Sequence, residues 1–164
     1  MITKEIHWAS WQPKERATLC FIIQNGKILL IRKKRGLGAG KINGPGGRIE
    51  IGESPLQAAI RETQEEVGVT PLDLDLCGEL YFQFVDGFSL HCTVFLARNF
   101  TGELQETDEA TPYWIAVNEI PFEEMWSDDA HWLPGMLRGG KFKGYFLFNE
   151  DKMLTKQVNW ITGL

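Results

Sequence analysis

The stretch from Gly46 to Val69 constrains this chain more than any other: a glycine turn, an acidic segment and then a helix with both ends marked. Ser54 is a good helix cap, Pro55 suits the first helical position, and Gln57 completes a capping box. Gly68 is a natural C-terminal stop. Leu56, Ala59, Ile60, Thr63 and Val67 recur at helical spacing and predict one largely apolar stripe. Glu62, Glu65 and Glu66 fall on the adjoining face at i, i+3 and i+4, where like charges repel. Arg61 can neutralise one of them. A hard divalent cation with oxygen ligands suits the remainder, and Mg2+ takes a few carboxylates, waters and substrate phosphates. A lone Glu-x-x-Glu-Glu is usually a solvated face. Here Gly47 and Glu53 precede it, and on these residues alone both readings stand.

The rest of the chain reads as one domain. A length of 164 residues with 43% hydrophobic content can bury a real core. A net charge of -5 argues against a binder of nucleic-acid polymers, which needs a basic surface, but not against one nucleotide bound through a metal. Cys20, Cys77 and Cys92 show no metal spacing and cannot all pair, so they read as reduced core thiols of a cytoplasmic protein. No apolar run reaches membrane-spanning length, and the N-terminus lacks a signal-peptide core. Residues 1–16 form an N-terminal arm whose Trp8 and Trp11 either pack on the domain or hang loose; residues 17–164 form the domain.

Strands are expected over Ala17–Ile23, Lys27–Arg32, Asp75–Val85, Leu90–Ala97, Thr111–Val117, Lys143–Asn149 and Met153–Ile161. Asn25-Gly26 signals a type I′ hairpin. In the third of these strands Phe82 and Phe84 share one face and Tyr81 and Val85 the other. A short helical turn follows Asn118, and a second helix runs from Trp126–Ser127, with Ser127 as cap, to about Leu137. Several polar residues have two readings. Arg32–Arg35 before a glycine-rich loop is either a solubilising run or a basic rim for phosphates. Asn43 caps a turn or reads a base edge. Asp128 and Asp129 stabilise the start of a helix or line a site. Most of the acidic loop from Gly102 to Ala110 reads as solvated.

The spacing Gly47, Glu53, Arg61-Glu62, Glu65-Glu66, Gly68 and Val69 resembles the Nudix box, departing only at Thr63, where an aliphatic residue is usual. Lys33–Lys41, Asn43-Gly44, Ile120-Pro121-Phe122, Met125–Asp129 and Lys141–Phe146 are similar to segments of the Nudix branch that hydrolyses oxidised purine nucleoside triphosphates. The resemblance covers nearly everything from Thr18 onward. It implies an α/β/α sandwich with a mixed β-sheet between helices. It implies a Mg2+-dependent, monomeric enzyme, with Mn2+ as an alternative ion, that cuts nucleoside triphosphates such as 8-oxo-dGTP into monophosphate and pyrophosphate. Glu62, Glu65, Glu66, Glu109 and the Gly46 carbonyl would hold the metal. Arg61 would orient a box glutamate, Glu53 would act at the edge of the site, and Glu65 or Glu66 would serve in catalysis. Lys33 would meet the phosphates or sugar, and Thr18, Asn43, Phe82, Trp126, Asp128 and Asp129 would line the base pocket. Leu37, Ile42 and Pro45 stand where that branch has aromatic residues, which predicts a looser pocket.

Ordinary dNTPs, another nucleoside diphosphate derivative or a non-catalytic nucleotide-binding role are the alternatives. Retention of every box glutamate counts against the last of these. The Nudix-fold prenyl diphosphate isomerases need a cysteine in a dedicated pocket motif, and none of the three cysteines has that setting.

Overall fold

The computed structural model describes residues 6–161. The first five residues of the arm lie outside that range. In chain order the elements are β1 (Glu15–Gln24), β2 (Lys27–Lys33), β3 (Ile42–Asn43), β4 (Gly46–Arg48), α1 (Pro55–Val67), β5 (Thr70–Leu72), β6 (Asp75–Phe84) and β7 (Ser89–Ala97). Then come β8 (Asn99–Thr101), β9 (Ala110–Ala116), a 3-10 turn (Phe122–Glu124), α2 (Asp129–Leu137), β10 (Lys141–Asn149) and β11 (Lys152–Ile161). The large sheet runs β11-β10-β6-β7-β1-β2-β3, with β4 joined to β1 and β9 to β2. It is mixed: β1 pairs β7 and β6 pairs β10 in parallel, and the other pairings are antiparallel. Asn25 and Gly26, at φ 54° and 74°, make the β1–β2 turn in the left-handed region that a type I′ hairpin requires.

Alternation along the strands builds two cores. Phe21, Ile28, Leu30, Leu80 and Val94 point to one face and meet Trp132, Leu133 and Met136 of α2. Cys20, Ile22, Leu29, Ile31 and Phe95 point to the other and meet Ala59 and Val67 of α1. A mixed sheet between helices is therefore the architecture, as expected. All three cysteines are free and buried. Trp8 and Trp11 pack: their rings lie 5.3 Å from Tyr145 and 5.7 Å from Tyr81, and Trp11 Nε1 donates to Gln83 Oε1 at 2.8 Å. Tyr81 and Gln83 face away from Phe82, so these tryptophans cover the part of the sheet that lies on the α1 side under β6 and β10.

Three local expectations are corrected. Leu56 is 43% exposed, and the buried face of α1 is Ala58, Ala59, Thr63, Glu66 and Val67. Small residues lie there because the helix sits close on β1 and β4. Thr63, fully buried, satisfies its hydroxyl by donating to the Ala59 carbonyl at 2.7 Å. Ser127 does not cap α2: the helix begins at Asp129, and Asp128 occupies the cap position without a capping bond. Its Oδ2 instead accepts from Trp132 Nε1 at 2.8 Å. Four short strands, β3, β4, β5 and β8, were not expected, since two or three residues carry no readable period.

Candidate active site

The site begins with the register of α1. Gln57 N donates to Ser54 Oγ at 3.1 Å and Ser54 N to Gln57 Oε1 at 2.9 Å, so the capping box forms as expected. Gly68 ends the helix at φ 78°. With both ends fixed, Glu62 and Glu66 face β4. That strand is glycine for a steric reason. A Cβ on Gly46 would overlap the Thr18 carbonyl oxygen, and a Cβ on Gly47 would overlap the Glu62 carboxylate. Gly46 N donates to Glu66 Oε1 at 2.7 Å.

Carboxylate oxygens of Glu62, Glu66 and Glu109 lie within 4.8 Å of one another. Glu109 arrives from the acidic loop, which is tied down by Thr107 Oγ1 donating to the Glu66 carbonyl at 2.8 Å. Burial pushes Glu66 up to about 8 and Glu62 up as well, although Arg61 opposes the second shift. One buried and two partly buried carboxylates that repel one another, around a cradle that a single Cβ would fill, suit a hard cation with oxygen ligands. Among the expected metal residues, Glu65 stands apart. It is half-exposed and accepts from Arg61 NH1 at 3.2 Å, outside the three-carboxylate group. Gly46 sits against Glu66 through its N–H.

Arg61 reaches further than one carboxylate. Nε and NH2 donate to Glu53 at 2.6 and 2.8 Å, NH1 to Glu62 at 2.7 Å, and NH2 to the Arg48 carbonyl at 3.0 Å. One guanidinium thus pins Glu53, Glu62 and Glu65 together and holds the Glu53 carboxyl down to about 2. Replacing Gly47 with alanine is expected to push Glu62 off this lattice. Divalent-cation affinity, measured by titration calorimetry, should fall about 10- to 100-fold while the melting temperature changes little.

A second arm of the cleft runs from Glu66 into an apolar pocket. Thr18, Asn43, Phe82, Trp126, Asp128 and Asp129, the residues expected around the base, all line it, together with Lys33, expected at the phosphates or sugar. They come from β1, β2, β3, β6 and the segment leading into α2. Asp128 and Asp129 are 1% and 7% exposed. Burial pushes both carboxyls up, against the hydrogen bond from Trp132 at Asp128, and the neighbouring Asp128 pushes Asp129 the further, so that the pair holds a proton. Asp128 Oδ1 and Thr18 Oγ1 are buried with no hydrogen-bond partner among the described residues. Such atoms cost about 1–3 kcal/mol each unless something supplies a partner. Lys41 Nζ lies 5.2 Å from the Trp126 ring centroid, and Gly38 packs against the indole where a Cβ would collide. Leu37 lies 47% exposed at the pocket edge. Phe84, Leu90 and Cys92 also line the pocket and were not foreseen. The alternation of β7 was the available signal, since Leu90 and Cys92 share the face that carries Val94.

Residues 13–136 match the NUDIX domain. The chain is 46% identical over 140 residues to the oxidized purine nucleoside triphosphate hydrolase of Danio rerio, covering 85% of this chain and 90% of that protein. It is 38% identical over 135 residues to the protein of the same name from Mus musculus, covering 82% and 86%. Among solved structures, a MutT protein from Bacillus halodurans superposes with a TM-score of 0.80 at 26% identity, covering 88% of this chain and 97% of that one. Nudix hydrolases generally use divalent metal ions, in keeping with the carboxylate cluster. No helix among the described residues is long and apolar enough to cross a membrane. With the box residues in register on a capped helix and the domain match spanning most of its length, this chain belongs to the Nudix family, as a Nudix hydrolase.

Proposed function

We propose that the protein is a Mg2+-dependent pyrophosphohydrolase that converts oxidised purine nucleoside triphosphates, of the 8-oxo-dGTP and 2-hydroxy-dATP type, to monophosphate and pyrophosphate. It would thereby clear damaged bases from the cytoplasmic nucleotide pool, acting as a monomer. The carrying observation is one cleft with a three-carboxylate cluster at one end and an under-satisfied aspartate pair at the other, bridged by Lys33. The Danio rerio and Mus musculus relatives, named for hydrolysis of oxidized purine nucleoside triphosphates, support the substrate class.

Glu62, Glu66 and Glu109 are the residues that would hold the ion. Bound there, it would neutralise phosphate charge and lower the pKa of a bound water. The chain's own groups do the rest. Arg61 keeps Glu53, Glu62 and Glu65 in one arrangement. Glu53, held near 2, is too weak a base to deprotonate water, so that role falls to Glu65 or Glu66. Lys33 lines both the pocket and the carboxylate groove, which suits it to meet the phosphates.

At the base end, chemistry selects. Guanine presents N7 and O6 as acceptors on its major-groove edge. Oxidation at C8 turns N7 into a donor. A carboxyl pair with one proton both donates and accepts, so it matches the oxidised edge, with Asn43 alongside. Intact guanine leaves a group unpaired, and moving the shared proton lets the pocket take other oxidised purines. Trp126 supplies an aromatic face for stacking. Mixing 8-oxo-dGTP with the protein and Mg2+ should release pyrophosphate and the monophosphate in equal amounts. Release of orthophosphate, or no dependence on a divalent cation, would overturn this reading.

A further inference from the structure

The carboxylate groove holds a cation that the box does not account for. Arg35 NH2 lies 3.6 Å from Glu109 Oε1, beyond hydrogen-bonding reach, and its side chain is 67% exposed. Its neighbours are held firmly. Lys34 N donates to the Glu109 carbonyl at 2.9 Å, and Lys34 Nζ donates to Glu106 at 2.6 Å and to the Thr107 carbonyl at 2.8 Å. Gly36 then turns the chain at φ 84°. The Arg35 backbone is therefore fixed at the mouth of the groove while its side chain stays free to swing. Arg61, beside the cluster, has no such freedom, because it is bonded to three carboxylates and a carbonyl, and Arg48, which also lines the groove, is hydrogen-bonded to Glu15 at 3.0 Å.

We propose that Arg35 is a mobile substrate-binding cation. It rests on Glu109 while the cluster lacks a divalent ion and transfers to the phosphate oxygens of a triphosphate once Glu109 is taken up by the ion. This inference rests on the proposed function of the same cleft. The resting pair is exposed and loose, so little is lost when it breaks. Arg35 and Lys33 line the same groove as Glu62, Glu66 and Glu109, so both cations stand beside the carboxylates at which the phosphates of a triphosphate would lie. A guanidinium fork fits two phosphate oxygens at once, which a lysine ammonium does not. The exchange swaps a carboxylate for a phosphate at one guanidinium and leaves no charge stranded in the groove.

Titration calorimetry on Arg35→Gln and Arg35→Lys in the full chain tests this. Mg2+ alone, the α,β-methylene analogue of dGTP with Mg2+, and dGMP with Mg2+ serve as probes, so no turnover is needed. For Arg35→Gln, Mg2+ affinity should be equal or slightly tighter, triphosphate-analogue affinity should fall about tenfold, and dGMP affinity should stay within about twofold. Arg35→Lys should recover part of the loss. In turnover, kcat/KM should fall mainly through KM. A merely structural role would weaken Mg2+ and dGMP binding together with the analogue. Unchanged analogue affinity, or a parallel loss for all three probes, would overturn the proposal. If wild-type protein is active and Arg35→Gln matches it, only this inference fails. If wild-type protein releases no pyrophosphate, the proposed function fails while the binding data still report on Arg35.

Discussion

Glu66→Gln is expected to lower pyrophosphate release about 10³-fold, or about 4 kcal/mol of transition-state stabilisation, with the fold intact. The amide keeps the shape of the side chain and can still accept from Gly46 N–H, the bond that anchors Glu66 to β4. It removes the charge that makes this buried site attractive to a cation. Steady-state kinetics across a Mg2+ range measures the loss, and near wild-type turnover at saturating Mg2+ would remove Glu66 from the metal site.

The same variant carries a stability signature of opposite sign. Glu66 has a folded value of about 8 against 4.5 for the ordinary group, because burial disfavours its charge. Between those values the folded protein holds a proton that the unfolded chain has released. In metal-free protein the native state is therefore favoured below about pH 4.5, and that advantage disappears as pH rises toward 8. The shift corresponds to on the order of 5 kcal/mol. Glu53 behaves in the reverse sense: Arg61 holds it near 2, so its contribution is present above about pH 4.5 and is lost only as pH falls toward 2. The two windows do not overlap. At pH 8 without metal, Glu66→Gln should melt at a higher temperature than wild type. Added Mg2+ should raise wild type and leave the variant where it was, by mass action on the folded state. A thermal scan at pH 5 and pH 8, with and without Mg2+, checks all of this. A variant that melts lower at pH 8 would contradict the burial argument.

Asp128→Asn should separate the two ends of the cleft. Asparagine can still accept from Trp132 Nε1, so α2 should keep its place. It cannot share a proton with Asp129. Its amide has a fixed donor and a fixed acceptor, and the pocket loses the ability to match an oxidised edge. Turnover of 8-oxo-dGTP should fall about 10²-fold in kcat/KM, the cost of leaving about 3 kcal/mol of polar pairing unmade. Turnover of dGTP and dCTP should change by less than about threefold, since neither uses the paired carboxyls fully. Equal losses on all bases would show that Asp128 supports the fold of the pocket and does not read the base.

The box helix was legible because its determinants are local. Ser54, Pro55, Gln57 and Gly68 act on backbone groups within a turn of themselves, and the glutamate spacing follows from the helix. Which carboxylates converge was harder to read. Helical geometry put Glu65 beside Glu62 and Glu66, yet Arg61 draws it outward and Glu109, forty-three positions beyond Glu66, comes into the cluster. Glu109 was expected there only through the family resemblance, because how the acidic loop docks is encoded in no local pattern. The apolar stripe was right at Ala59, Thr63 and Val67 and wrong at Leu56, because periodicity gives a face but not its edges. The apolar pocket proposed for the base draws on residues from Thr18 to Asp129, and its lining was legible only through resemblance to a known family. Asp128 shows why: by local pattern it belongs to a helix start, and only burial beside Trp132 with one oxygen unpartnered shows otherwise. Trp8 and Trp11 had no readable partner until β6 and β10 brought Tyr81 and Tyr145 side by side, 4.7 Å apart and stacked.

The most direct test of the central claim is the ratio of kcat/KM for 8-oxo-dGTP to that for dGTP, measured by pyrophosphate release with Mg2+ at substrate concentrations below KM. The proton-sharing aspartate pair predicts a ratio of about tenfold or more, with 2-hydroxy-dATP also preferred over dATP. A ratio near one, with both nucleotides hydrolysed, would leave the carboxylate cluster and its chemistry standing and contradict the assignment of Asp128 and Asp129 as the readers of the oxidised base.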